Sequence, residues 1–357
     1  MWPDRRLLDL FGIEHPIVLA PMGGAMDWEL TLAVAEAGGL GSLPCMMYTA
    51  ERVRDEVGKF RAQTKAPLSL AFFTHKHVPP DNASEAAWRD RLKPYYAEMK
   101  LDPNASVPAP PRSPFNDDSC ALVEELKPEV ASFHYGLPEP RLLARVKAAG
   151  CKVIPSATTV AEARWLEDRG ADAIIAQGAE AGGHRGVFLS DDISTQAGTF
   201  ALVPQVADAV KLPVIAAGGI SDARGIAAAF ALGAAGVQIG TAYLHCPESK
   251  ISAPHRTALA EAGDASTTLT NIMSGRPARG IVNRLIREQG PISDVPAFPY
   301  AANALAPIRA AAEKQGSGDF SPLWSGQAAA LGQAMPAGEL TRKLAKEALA
   351  RLKALGG

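Results

Sequence analysis

The sequence predicts a (β/α)8 barrel whose mouth is capped by a mostly helical C-terminal insertion. Three observations lead there. Eight short runs rich in Val, Ile, Leu and Ala recur along the chain with helical patterns between them, the rhythm of βα units that feed a parallel sheet. The first run is followed by Pro21, Met22, Gly23 and Gly24, not by the GxGxxG loop that usually opens a doubly wound sheet. Hydrophobic residues make up 47% of the chain and aromatics only 6%, a balance that suits buried parallel strands under closely packed helices. One barrel with an insertion absorbs all 357 residues, so length does not demand a second independent domain.

Taken in order, strands are expected at residues 16–20, 39–44, 68–74, 130–135, 152–157, 173–177, 214–217 and 236–240. Helices read clearly at 159–169, 194–210 and 222–232, the last with Ser221 as N-cap and Gly233 at its end. Two segments break the rhythm. Residues 76–118 are rich in Pro and read as a loop enlarged over the barrel mouth, with a helix at 84–99. Residues 245–336 are long enough for a mostly helical cap, with a helix near 301–314, and residues 340–355 carry a 3.6-residue apolar period that fits a closing helix. The expected organisation is a barrel over 1–244, a cap and substrate region over 245–336 and a closing helix over 337–357.

Charge narrows the function classes. Lys and Arg number 36 against 38 Asp and Glu, a net charge of −2, and no basic run is present to track a phosphate backbone, so nucleic acid is not an expected partner. Cys45, Cys120, Cys151 and Cys246 are scattered without a CxxC pair, which points to reduced thiols and to no metal site. The N-terminal residues lack the apolar core and small-residue cleavage site of a signal peptide, and no apolar run approaches a bilayer span. The expectation is a cytoplasmic protein away from membranes, a monomer or homodimer.

Two glycine-rich segments carry the chemistry. AQGAEAGGHRG (residues 176–186) falls where the sixth strand ends; its glycines let backbone approach a flat or phosphorylated ligand, and they hold an imidazole, His184, at the face where barrels do catalysis. AAGGISDARGIAAAFALGAAGVQIGT (residues 216–241) spans the ends of the seventh and eighth strands, the usual phosphate site of such barrels. There Gly218 and Gly219 bare backbone N–H groups, the helix after the eighth strand points its positive end at the anion, and Thr241 adds a hydroxyl. This logic does not separate FMN from a sugar phosphate.

Together with PIVLAPMGG (residues 16–24), SFHYGLP (residues 132–138) and LWSGQAA (residues 323–329), these segments resemble the motifs of the nitronate monooxygenases, in that family's order over most of the barrel. The resemblance implies FMN held non-covalently at the mouth. Ala20, Pro21, Met22 and Gly23 would run along the isoalloxazine, with Gln177, Gly182 and Gly183 near the flavin and Gln327 a further contact from the cap. Gly218, Gly219, Gln238, Gly240 and Thr241 would lie near the phosphate and ribityl chain. His184 would be the catalytic histidine, with His134 and Tyr300 in the substrate pocket. Members often carry an Asn near the end of the third strand, where this chain has Leu70, Ala71, Phe72 and Phe73.

The implied reaction is oxidation of alkyl nitronates, and of nitroalkanes after His184 removes the α-proton, by O2 to a carbonyl compound and nitrite. The alternative on the same barrel is an NAD(P)H-dependent FMN reductase acting on quinones or enoyl thioesters. A flavin-binding scaffold without turnover and a colourless phosphosugar barrel complete the readings.

Overall fold

In the computed structural model, which describes residues 1–104 and 113–355, the chain alternates strands and helices as the periodicity requires. The elements are α1 (Arg6–Phe11), β1 (Ile17–Leu19), α2 (Trp28–Glu36), β2 (Gly41–Leu43), α3 (Ala50–Gln63), β3 (Leu68–Phe73), α4 (Asn82–Glu98), α5 (Asp117–Leu126), β4 (Val130–His134), α6 (Pro140–Ala148), β5 (Lys152–Ala157), α7 (Val160–Glu167) and β6 (Ile174–Gln177). They continue with β7 (Gly183–His184), α8 (Thr199–Ala209), β8 (Val214–Ala217), α9 (Ala223–Ala231), β9 (Gly236–Ile239), α10 (Thr241–Leu244), α11 (Ala253–Ala260), β10 (Thr267–Thr270), β11 (Ala278–Ile281), α12 (Arg284–Gln289), α13 (Ala301–Lys314) and α14 (Ala337–Leu355).

Eight parallel strands run in the order β1-β9-β8-β6-β5-β4-β3-β2. A parallel bridge between Val18 and Leu40 joins the two ends, so the sheet closes into the expected (β/α)8 barrel. The strands are short and buried on both faces, as Ile17, Val18 and Leu19 at 0% exposure illustrate, which is why they read as apolar runs without alternation. α14 packs between α2 and α9 and closes the outer ring, with Tyr243 Oη and Thr341 Oγ1 2.8 Å apart in its buried seam.

The two segments that interrupt the rhythm pack on each other. Trp88 and Tyr96 of α4 donate to the carbonyls of Ala301 and Ala304 at 3.0 and 2.7 Å, and they share an apolar cluster with Leu285, Ile308 and Phe320. Residues 105–112 of the Pro-rich segment lie outside the described residues.

Three expectations need correction. α9 is capped by Asp222, whose carboxylate accepts from the N–H groups of Arg224 and Gly225; Ser221 is one residue too early. α8 starts at Thr199, not at 194, because the Glu180 carboxylate takes the Thr199 N–H and Gln196 is drawn to Arg185. The segment 245–336 is not helical throughout. It contains the hairpin β10–β11, and β11 pairs antiparallel with β7, placing Ala278 opposite His184. Four-residue strands inside a helix-rich stretch give too few alternations to read.

Among the described residues, no helix is long and apolar enough to cross a membrane.

Candidate active site

A cavity of about 720 Å3 opens at the C-terminal ends of the barrel strands. The end of β1 contributes Ala20, Pro21, Met22 and Gly23; the end of β6 and the loop after it contribute Gln177, Gly182, Gly183 and His184. The ends of β8 and β9 add Gly218, Gly219, Gln238, Gly240 and Thr241, and His134 lines the wall from β4. Fourteen of the sixteen residues singled out from the sequence therefore meet at one place.

The other two sit beside it. Tyr300 is not among the lining residues: its hydroxyl donates to the Val78 carbonyl at 3.0 Å and ties α13 to the loop after β3. Phe298, two residues earlier, faces the cavity instead. Gln327 follows the lining residue Gly326, and its backbone N–H donates to the Glu180 carbonyl at 3.0 Å.

His184 is fixed from three sides. Its carbonyl accepts from Gln177 Nε2 at 2.9 Å and from His134 Nε2 at 3.1 Å. Its ring Nε2 lies 2.9 Å from Ser274 Oγ, and the rings of Phe298 and Trp324 stand at 5.4 Å. Gln177 uses the other end of its amide to accept the Gly186 N–H at 2.8 Å, so both of its polar atoms hold the histidine loop. Ser274 escaped the sequence reading because the hairpin that carries it did too. Ser274→Ala is expected to lower turnover about tenfold, the worth of one hydrogen bond to a group whose charge changes, and to displace the pH profile of kcat/KM, which a purely structural loss leaves in place.

His134 is spent on the protein. The His184 carbonyl can only accept, so Nε2 carries the proton and Nδ1 accepts from Ser156 Oγ at 2.7 Å. Burial pushes its pKa down to about 4, against the opposing pull of the His184 carbonyl. His255, whose Nε2 donates to the Trp324 carbonyl at 3.1 Å, is likewise pushed down to about 4 by burial. In the unfolded chain both would protonate near 6.5. Between about pH 6.5 and 4 the unfolded state binds more protons, so their contribution is complete above 6.5 and is lost as pH falls. Each is expected to cost on the order of 1–3 kcal/mol across that window, measured as a falling urea midpoint; a midpoint independent of pH there would remove both neutral histidines.

Arg185 is fully buried. It donates to the carbonyls of Gly178 and Gln177 at 2.6 and 2.7 Å and to Gln196 Oε1 at 2.8 Å. Burial lowers its pKa to about 10, so it stays cationic at neutral pH and cross-links the loop behind His184.

The glycine cradle is a backbone feature. Gly218 and Gly219 have φ of +111° and +70°, a conformation that β-carbons disfavour. A Cβ on Gly218 would sit 2.9 Å from the Ala181 N–H nitrogen. Among the described residues, the N–H groups of Gly219 and Ile220 donate to no protein acceptor. Thr241 Oγ1 accepts the Gly326 N–H at 2.9 Å, which leaves its own proton to give. Gln238 Oε1 is buried with no partner among the described residues, an acceptor free for a ligand N–H or O–H. The helix after the eighth strand is α10, only four residues long, so what it offers an anion is the N–H groups of its first turn more than a summed macrodipole.

The family model described as nitronate monooxygenase matches residues 4–347. A nitronate monooxygenase of Pseudomonas aeruginosa is 42% identical over 346 residues, covering 96% of this chain and 98% of that one. One from Paraburkholderia phytofirmans is also 42% identical, over 96% and 94%. Among solved structures, a nitroalkane oxidase from Streptomyces ansochromogenes superposes with a TM-score of 0.89 at 38% identity over 98% of this chain and 99% of that one. FabK from Thermotoga maritima superposes at 0.76 and 30% identity over 99% and 98%. The chain belongs to the nitronate monooxygenase family and is an oxidoreductase built on a (β/α)8 barrel.

Proposed function

We propose that this protein binds FMN and oxidises alkyl nitronates with O2 to a carbonyl compound and nitrite. The observation that carries the reading is His184, immobilised by Ser274, Gln177 and His134 on the same cavity as a glycine cradle. That cradle fits the cofactor. The N–H groups of Gly219 and Ile220, with the Thr241 hydroxyl, match a phosphate, and the unpartnered Gln238 Oε1 matches a ribityl or ring donor. Ala20 to Gly23, Gly182 and Gly183 would offer backbone and the apolar Pro21 and Met22 side chains to a flat ring, and Gln327 would add a contact from its turn. When bound, FMN supplies the electron acceptor.

The protein does the rest. A His184 ring that donates towards the cavity holds the nitronate anion, and a neutral His184 removes the α-proton of a nitroalkane. On this reading residues 1–244 are the barrel that sets these groups, residues 245–336 a cap that keeps bulk water from the mouth, and residues 337–357 the closing segment, whose helix is described to Leu355. Substrate and O2 are the only partners required, and the cytoplasm is the compartment the scattered buried thiols suit.

The test is an anaerobic visible spectrum of purified protein mixed separately with propyl 2-nitronate and with NADH or NADPH. Bleaching with nitronate alone is expected. Bleaching only with reduced nicotinamide would make the protein a reductase on the same barrel, and a colourless protein would end the FMN assignment.

A further inference from the structure

The cavity does not end at His184. Ala302, Leu305, Ala306, Arg309, Ala310 and Glu313 of α13 all line it. Their spacing of three and four residues marks one helix face, and eleven residues at 1.5 Å rise carry that face about 16 Å along the axis. One end lies beside Phe298, whose ring is 5.4 Å from that of His184. The other reaches Glu313, which accepts from Ser321 Oγ at 2.6 Å and from Arg309 Nε at 2.8 Å. The same cavity is lined by Ile251, Phe320, Pro322 and Leu323, with Ser252, His255 and Ser321 among them. Beside a bound flavin, a planar nitronate head occupies only the His184 end of this face.

We propose that the preferred substrate is a nitronate carrying an extended aliphatic arm, laid along the α13 face of Ala302, Ala306 and Ala310 with its tip at the Arg309 and Glu313 rim. The inference rests on the nitronate reading above and names the substrate class within it. The three alanines leave room that any larger side chain would fill, and they offer methyl groups, which attract by burial alone. The rim is charge-balanced: Arg309 is already paired with Glu313, so an acidic or basic tip gains no unmatched partner there. An aliphatic tip loses nothing by passing between them to solvent.

Straight-chain carboxylates from acetate to decanoate share the planar anionic head and are not oxidised. Titrated calorimetrically into the flavin-loaded protein, they are expected to bind about three- to fourfold tighter for each methylene added along the arm, with a plateau once the tip leaves the channel. kcat/KM for the nitronates of nitroethane through 1-nitrooctane is expected to climb in parallel. Ala306→Phe is expected to cut the octyl-to-ethyl ratio of kcat/KM at least tenfold. An affinity flat in chain length overturns the proposal, and so does an Ala306→Phe protein that loses both substrates alike. The wild-type titration decides the matter if that variant does not fold. A rising carboxylate series in a protein that oxidises no nitronate removes the parent reaction and this substrate with it, while a flat series in an active enzyme removes only the arm.

Discussion

Replacing His184 with Asn is expected to leave the protein yellow and folded while lowering kcat/KM for a neutral nitroalkane by roughly 10²- to 10⁴-fold, the usual worth of a positioned general base. Asn places its amide at the level of the ring Nδ1 and so gives up the contact of Nε2 with Ser274 Oγ, 2.9 Å in the native site, but the backbone carbonyl held by Gln177 and His134 is untouched. What disappears is the imidazole nitrogen that can take a proton. A nitronate supplied already deprotonated bypasses that step, so its oxidation is expected to fall only about tenfold, the share of one charge-assisted contact. Oxygen uptake with the two substrate forms separates the roles. Equal losses would mean that His184 holds the anion and abstracts nothing; equal rates to wild type would take it out of the mechanism.

The sequence was most legible where a physical requirement forces a residue type. Barrel strands buried on both faces must be apolar throughout, and all eight were found within a residue or two at their ends. Close backbone approach requires glycine, and a Cβ on Gly182 or Gly218 would come within 2.5 and 2.9 Å of a backbone nitrogen, while Gly219 is required by its φ of +70°. Roles that depend on contacts between distant segments were not visible. Nothing local in Asn271 to Arg276 says that Ser274 reaches His184, because that contact exists only once β11 pairs with β7. That both ring nitrogens of His134 are engaged was equally invisible, because their partners, Ser156 and the His184 carbonyl, lie 22 and 50 residues away. The lone tyrosine of the cap segment, Tyr300, drew attention by type, whereas helix phase put Ala302, Ala306 and Ala310 on the cavity. Small residues that make space leave a weaker mark in a sequence than large ones that fill it.

Gly182→Ala is expected to weaken flavin binding far more than Gly183→Ala, although Gly183 is the residue with the left-handed backbone, φ +72°. A Cβ on Gly183 meets nothing within 4 Å, so that substitution costs only the conformational strain, about 1–2 kcal/mol. A Cβ on Gly182 would lie 2.5 Å from the Gly326 nitrogen and 2.6 Å from the Ser325 carbonyl carbon. Both are backbone atoms that cannot rotate away, so the turn at residues 325–327 must move as a unit. Three bonds anchor that turn: Ser325 N–H to the Arg279 carbonyl, Gly326 N–H to Thr241 Oγ1, and Gln327 N–H to the Glu180 carbonyl, at 3.3, 2.9 and 3.0 Å. Displacing it strains the Thr241 hydroxyl in the cradle, the Glu180 loop beneath it and the Arg279 strand that pairs with Gly183. At about 1 kcal/mol for each hydrogen bond lost, the flavin dissociation constant is expected to rise at least a hundredfold, with the far-ultraviolet circular dichroism unchanged because the barrel strands are not involved. Titrating FMN into the two apo-proteins reads the difference directly. Equal weakening by the two substitutions would show that the turn at residues 325–327 does not support the cofactor site, and greater weakening by Gly183→Ala would show that backbone strain in β7, not contact between the two loops, governs it.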